Sequence, residues 1–338
     1  MKHALKLDDQ VFTSIDDCES HVASQQTTSM VVRASSLRVE DAGLFVAEHL
    51  HPLTETGQMG LLNLLQIPQK FALDVCDTPM ICHVANGLLA RHGDETVRVV
   101  LSRHGVVGVM KASSLPLLHA EVLRACRTES ASPTTLVALR NGELRMCIKL
   151  PFNTGDKVGD VVHAGWEVIS REDGLGPTTV SAYLYFLKCK NGAVFGRRIG
   201  GCVRHPDADQ PTKNEVLRDI HAQITTTCLT DSMLRALERS RQEQLGAVAP
   251  RLLARIHPLV AKTVFDHRFA PNITSATTFF DAVNRVTEYA HALDGKRRRV
   301  FERLGGSLIE VFHSALHIPS AAARCGALAS LWRESQYN

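Results

Sequence analysis

The side chains with the most chemistry to offer are cations. Lys188, Lys190, Arg197, Arg198 and Arg204 follow one another closely, with Lys213 and Arg218 beyond them, and Lys296, Arg297, Arg298, Arg299 and Arg303 form a second run. Such groups strung along one surface neutralise successive phosphates. Tyr183, Tyr185 and Phe195, interleaved with the first set, are of the type that stacks on bases. The competing reading of the first set is a solvated face beside Asp207, Asp209, Glu215 and Asp219. The second run falls at the expected start of a helix, where the macrodipole disfavours cations unless an anion or a partner is close. Its competing reading is a surface helix whose arginines pair with acids elsewhere.

Other chemistries are less well supplied. Glu167, Glu172, Asp173, Asp207 and Asp209 are the carboxylates a metal-dependent nuclease would use. Residues 172 and 173, however, stand at a glycine turn, where an aspartate is expected for local hydrogen bonding. Cys189, Cys202 and His205, or Cys76, Cys82 and His83, are possible metal ligands, but neither set has paired Cys-x-x-Cys knuckles, so no metal is expected. Gly200-Gly201 and Gly305-Gly306 lack the Lys-Ser/Thr context of a phosphate loop, and Ser102 with His104 lacks a nucleophile elbow. No catalytic residue and no cofactor is assigned, and a non-enzymatic protein is favoured.

The elements that must position the cations are read from periodicity. Val162, Ala164, Trp166 and Val168 share one face of a strand, and Val180, Ala182, Leu184 and Phe186 share one face of the next. Asn191-Gly192 turns the chain into a third strand over 193–199. Upstream, 96–101 and 105–111 form a hairpin. A second hairpin joins 136–139 to 144–150 through Asn141-Gly142, a pair that readily supplies the positive φ angles of a two-residue turn. Helices are expected over 42–50, 55–65, from Pro68, from Pro79, and over 115–126, whereas 1–40 reads as an entry strand and loops. Residues 215–245 read as strongly helical, followed by helices from Pro250 and over 277–293, 300–316 and 320–332. The fold class is α+β: an antiparallel sheet built from hairpins with flanking helices, followed by an all-α C-terminal part. The expected division is a mixed α/β domain over 1–212 and a helical region over 213–338 packed on the sheet.

With 338 residues the chain is long enough for a substantial core. A net charge of +3 is too mild to establish nucleic-acid binding, so the distribution of cations matters more than their total. No apolar run is long enough to span a bilayer, and the N-terminal stretch lacks the apolar centre of a secretory signal. The nine cysteines show no disulfide rhythm, which fits a reducing compartment; a cytoplasmic location without membrane association is expected.

Several segments carry a resemblance: Gly60–Pro68, Val97–Arg103, Gly165 through the Gly174 and Gly176 turn, Leu187–Gly192, and Ala282–Tyr289. In order and spacing they resemble the phage- and plasmid-associated family called domain of unknown function 932. The chain departs from that pattern at Ser102-Arg103-His104-Gly105 and at Leu187-Lys188. The resemblance implies a bacterial mobile-element setting and no mechanism. Three sequential antiparallel strands followed by a long helix also resemble, at the level of fold, the core of phage single-strand annealing proteins. The expected partners are nucleic acid, single-stranded DNA favoured, for annealing, recombination or protection, and other copies of the chain in a homo-oligomer. The alternatives are a protein-interaction factor in phage defence or counter-defence, and a metal-dependent nuclease.

Overall fold

The computed structural model describes residues 9–114, 116–127, 136–140, 142–154, 162–186, 191–195, 212–225, 231–262, 272–293 and 295–315. The fold is α+β, with three antiparallel sheets, flanking helices and a helical C-terminal part. The chain divides into two compact units. One comprises 1–148, 168–180 and 198–225; the other comprises 149–167, 181–197 and 226–338.

The first unit begins with β1 (Gln10–Phe12) and α1 (Ile15–Ser24). A helix here corrects the expectation of loops. Ser14 caps it by accepting the Asp17 N–H, Asp16 and Asp17 favour its positive end, and Ile15, Cys18 and Val22 supply a buried stripe. The serines around it were punctuation rather than loop. A second correction concerns 42–50, expected as helix. The chain instead forms β3 (Arg38–Glu40), β4 (Gly43–Val46) and β5 (His49–His51), one small sheet in that order. Leu44 and Val46 alternate inward, and Ala47 and Glu48, at φ 48° and 69°, make the turn without a glycine.

Most of this unit's core lies between helices and the sheet of β2 (Thr28–Arg33), β6 (Thr96–Ser102) and β7 (Gly105–Lys111). Helix α2 (Glu55–Leu64) lies on β7, and its closeness depends on glycine: a Cβ at Gly57 would sit 2.1 Å from Val106 O. Thr54 caps α2 through the Gly57 N–H and donates its hydroxyl to Val106 O, tying the helix start to the strand. Leu61 and Leu62 are thereby buried, each contributing about 1.5–3 kcal/mol of transfer free energy. Helices α3 (Gln69–Asp74) and α4 (Thr78–His92) follow as expected from Pro68 and Pro79. The helix expected over 115–126 is confined to α5 (His119–Ala125).

The largest sheet has the order β1, β8 (Leu136–Arg140), β9 (Glu143–Thr154), β10 (Val162–Arg171), β11 (Thr179–Phe186), β12 (Asn191–Phe195). Gly142, at φ 70°, turns β8 into β9 as the Asn-Gly pair required. After α6 (Lys213–Thr225) come α7 (Asp231–Ser240), α8 (Ala249–Lys262), α9 (Phe279–His291) and α10 (Gly295–Ala315). The helical reading of 215–245 thus corresponds to α6 and α7, with 226–230 outside the described residues and α7 ending at Ser240. The helix expected over 320–332 also lies outside them. In the second unit α10 packs on α9 and on β12; Phe301 meets Tyr289 edge-on at 4.9 Å. No described helix is long and apolar enough to cross a membrane.

Candidate nucleic-acid interface

Two kinds of charged feature were singled out in the sequence, and they have different surroundings. The carboxylates of the turn between β10 and β11 sit in a closely packed place. The turn between β10 and β11 lies against β7: a Cβ at Gly108 would meet Asp173 Cα at 2.8 Å, and Gly174, at φ 71°, lies under Met110. Asp173 is 1% exposed. Its Oδ1 accepts the Leu175 N–H at 2.9 Å, the local turn bond expected of an aspartate before glycine. The Arg171 guanidinium donates to both carboxylate oxygens, Nε to Oδ1 at 3.1 Å and Nη2 to Oδ2 at 2.6 Å. Its third nitrogen, Nη1, lies 3.6 Å from Glu143 Oε2 on β9.

Glu172 is occupied as well. Its Oε2 accepts the backbone N–H of His119 at 3.2 Å and lies 3.6 Å from His119 Nδ1; both side chains are buried. Beneath the turn Ser170 and Thr178 hydroxyls bond to each other at 3.0 Å. A planar arginine held by two oxygens of one acid and flanked by a second is a bidentate charge-assisted pair, strong when hydrogen-bonded this completely. These acids bind parts of the fold. Glu167 is also buried, and Asp207 and Asp209 lie outside the described residues. Among the described residues no three histidine, cysteine or acidic side chains are grouped so as to hold a metal ion. Arg171 and His119 were missed in the sequence. Arg171 stands two residues before an Asp-Gly turn, which is a local signal; nothing local marks His119, because its partner is distant in the chain.

The cysteines among the described residues are free thiols. Burial pushes the Cys18 thiol up to about 12 and raises that of Cys126 further, so neither supplies a thiolate near neutral pH.

The cations are placed as follows. Lys188, Lys190, Arg197, Arg198 and Arg204 lie outside the described residues, as do Cys189, Cys202 and His205. The strands that carry the chain to them are described. β11 pairs with β12, with Tyr183 opposite Val194, Tyr185 opposite Gly192 and Ala182 opposite Phe195. Positions directly opposite share a face, and successive positions along a strand change face. Tyr183 and Tyr185 therefore share one register parity, and Phe195 has the other. The third strand, expected over 193–199, is described from Asn191 to Phe195.

The second run opens α10 as its sequence implied. Gly295 begins the helix, so Lys296 to Arg298 occupy its first turn, Arg299 follows, and Arg303 stands about one turn beyond Arg299. Arg297 and Arg303 are exposed, and Arg298 and Arg299 half-buried. Arg298 Nε donates to Glu302 Oε1 at 2.8 Å, and Glu302 is 1% exposed, so this arginine is anchored to the protein one turn on. Arg297, Arg299 and Arg303 also take part in interactions within the chain. Because α10 packs on β12, the helix bearing this run lies against the strand that ends two residues before Arg197. On α9, Thr287 bonds back to Val283 O, and Asn284 Oδ1 is buried without a hydrogen-bond partner among the described residues.

No model of a known protein family matches the chain, and neither a curated protein nor a solved structure does.

Proposed function

We propose that the protein binds single-stranded nucleic acid, DNA in preference, as a non-enzymatic and oligomeric factor of a phage, plasmid or other mobile element. The observation that carries this reading is the packing of α10 on β12. The helix that begins with Lys296, Arg297, Arg298 and Arg299 packs on the strand that ends at Phe195, and in this reading the basic residues on either side of that strand in sequence act together with the helix. In this reading Lys188, Lys190, Arg197, Arg198 and Arg204 hold phosphates, and the α10 run adds a second contact with Arg297 and Arg303 outermost. Tyr183 and Tyr185, two positions apart in one register parity, stack on bases from one face; Phe195 serves the other. The mobile-element setting follows from the resemblance in sequence pattern.

Asp173 and Glu172 bind Arg171 and the His119 N–H, so nuclease chemistry finds no vacant carboxylate pair at that turn.

Fluorescence polarisation of a labelled single-stranded oligonucleotide tests the reading. Binding is expected to weaken steeply with salt and to drop at least tenfold when Arg197 and Arg198 are both changed to Ala. Binding that ignores salt, or that survives the double change, would end it.

A further inference from the structure

Exposed strand edges present unpaired N–H and C=O groups, and proteins usually cover, charge or distort them. The first unit closes two of its edges by identifiable means. Along β7, the Val106 N–H donates to Pro52 O at 2.8 Å, Val106 O accepts from the Thr54 N–H and hydroxyl, and Val107 O accepts the Thr56 hydroxyl. On β3, the Asn86 side chain takes both groups of Val39, its Oδ1 accepting the N–H at 2.7 Å and its Nδ2 donating to the carbonyl at 2.9 Å.

The edge formed by β2 has no such closure. Its register with β6 pairs Thr28 with Leu101 and Arg33 with Thr96, and the Ala34 N–H donates to Glu95 O in the same register. Ladder bonds fall on alternate residues, so Thr28, Met30 and Val32 turn their backbone groups toward β6 while Ser29, Val31 and Arg33 turn theirs outward. The Arg33 carbonyl accepts the Ser36 hydroxyl. No backbone partner meets the outward groups of Ser29 and Val31 among the described residues. The strand contains no proline and no lysine, and the irregularity in this sheet falls at Val100 and Leu101, between β6 and β7. Met30 is 38% and Val31 47% exposed, at the middle of the strand.

We propose that β2 pairs with β2 of a second copy of this chain, antiparallel about a two-fold axis at Val31. The strand is complementary to itself in that register. Val31 meets its own copy, Met30 lies opposite Val32, and Ser29 lies opposite Arg33. Every outward-turned residue gains a hydrogen-bonded partner, apolar side chains meet apolar ones, and the strand's one cation faces a serine instead of the other arginine. Shifting the axis two residues toward the C-terminus would set Arg33 against itself. Met30 and Val32 stand on the same face as Val97 and Val99, and Val32 already packs against that core, so pairing extends one apolar layer across the axis. A closed two-fold interface of this kind uses the edge up and leaves nothing to propagate. The inference does not depend on nucleic-acid binding.

Light scattering on the full chain is the first test. Wild type is expected at no less than twice the 37.1 kDa chain mass, and Val31→Lys, which places two ammonium groups at the axis, at half the wild-type mass. The substitution lies on an exposed edge and leaves the ladder to β6 intact, which circular dichroism checks. A second variant guards against oligomers formed through other surfaces. Hydrogen-bonded antiparallel partners stand about 5.5 Å apart, within disulfide reach, so Val31→Cys is expected to give a covalent dimer on mild oxidation, whereas Leu50→Cys, exposed on β5, is not. A monomeric wild type, an unchanged mass for Val31→Lys, or a Val31→Cys chain that cross-links no faster than Leu50→Cys would each overturn the proposal.

Discussion

The turn after β10 and the first turn of α10 are both crowded with charge. The turn holds Arg171, Glu172 and Asp173 in succession; the helix holds Lys296, Arg297, Arg298 and Arg299. In the turn opposite signs adjoin, both carboxylates are buried beside a half-buried arginine, and each carboxylate has a donor. In the helix one sign repeats, Arg298 is anchored to the buried Glu302, and Arg297 and Arg303 reach the surface while also taking part in interactions within the chain. A charge removed from water needs a local partner or becomes very costly; a run of one sign at a surface attracts a counter-charge from outside. In the proposed reading, the difference separates a feature that holds the fold from one that binds.

The comparison can be broken by substitution. The largest effect is expected for Asp173→Ala, which leaves Arg171 without its bidentate partner: about 3–5 kcal/mol of stability lost in chemical denaturation. A loss below about 1 kcal/mol would mean that the turn is not a keystone. Arg298→Ala is expected to cost about 1 kcal/mol, less than a fully buried pair because 28% of the Arg298 side chain is exposed. Arg297→Ala and Arg303→Ala, at exposed positions, are expected to leave the melting temperature within about 2 °C of wild type. If they destabilise as much as Arg298→Ala, the helix start is itself a structural network and the contrast fails.

The smallest effect sharpens the point that burial tunes charge. The His21 ring sits below its ordinary 6.5, first because burial disfavours the cation and then because Arg103 and His104 repel it. The folded state therefore binds this proton less readily than the unfolded chain. Its contribution to stability is complete above about pH 6.5 and is lost progressively as the pH falls through the lowered value. A pH series of urea midpoints should show a shallow acid-side decline that His21→Gln reduces; the same slope in both proteins would remove His21 from the account.

How much of this was legible in the sequence depends on the range of the interaction. The hairpin at Asn141-Gly142 and the helices following Pro68 and Pro79 were legible, because their signals lie within a few residues. The turn at Ala47-Glu48 was not, since neither residue advertises a positive φ, and Leu44, Val46 and Leu50 match a helical spacing nearly as well as a strand's. α1 was hidden by serines that suggested loop, although Ser14 followed by two aspartates is a capping signal. At the site, the start of α10 was legible and its anchor was not. Arg298 and Glu302 are four apart, a spacing open to inspection, but the burial of Glu302 comes from the packing of α10 in its unit. The partner of Glu172 lies on α5, and the second acid beside Arg171 lies on β9, both beyond any local pattern.

The central claim is that the α10 cations meet phosphates, and the salt dependence of binding tests it most directly. Each phosphate contact to a single strand contributes about 0.7 to the slope of log K against log salt. Measured from low to physiological salt, Arg297→Ala/Arg303→Ala is expected to bind a single-stranded oligonucleotide more weakly, with a slope shallower than wild type by about 1.4 for two contacts. A double variant that keeps the wild-type affinity and slope, or a wild type that does not bind, would contradict it.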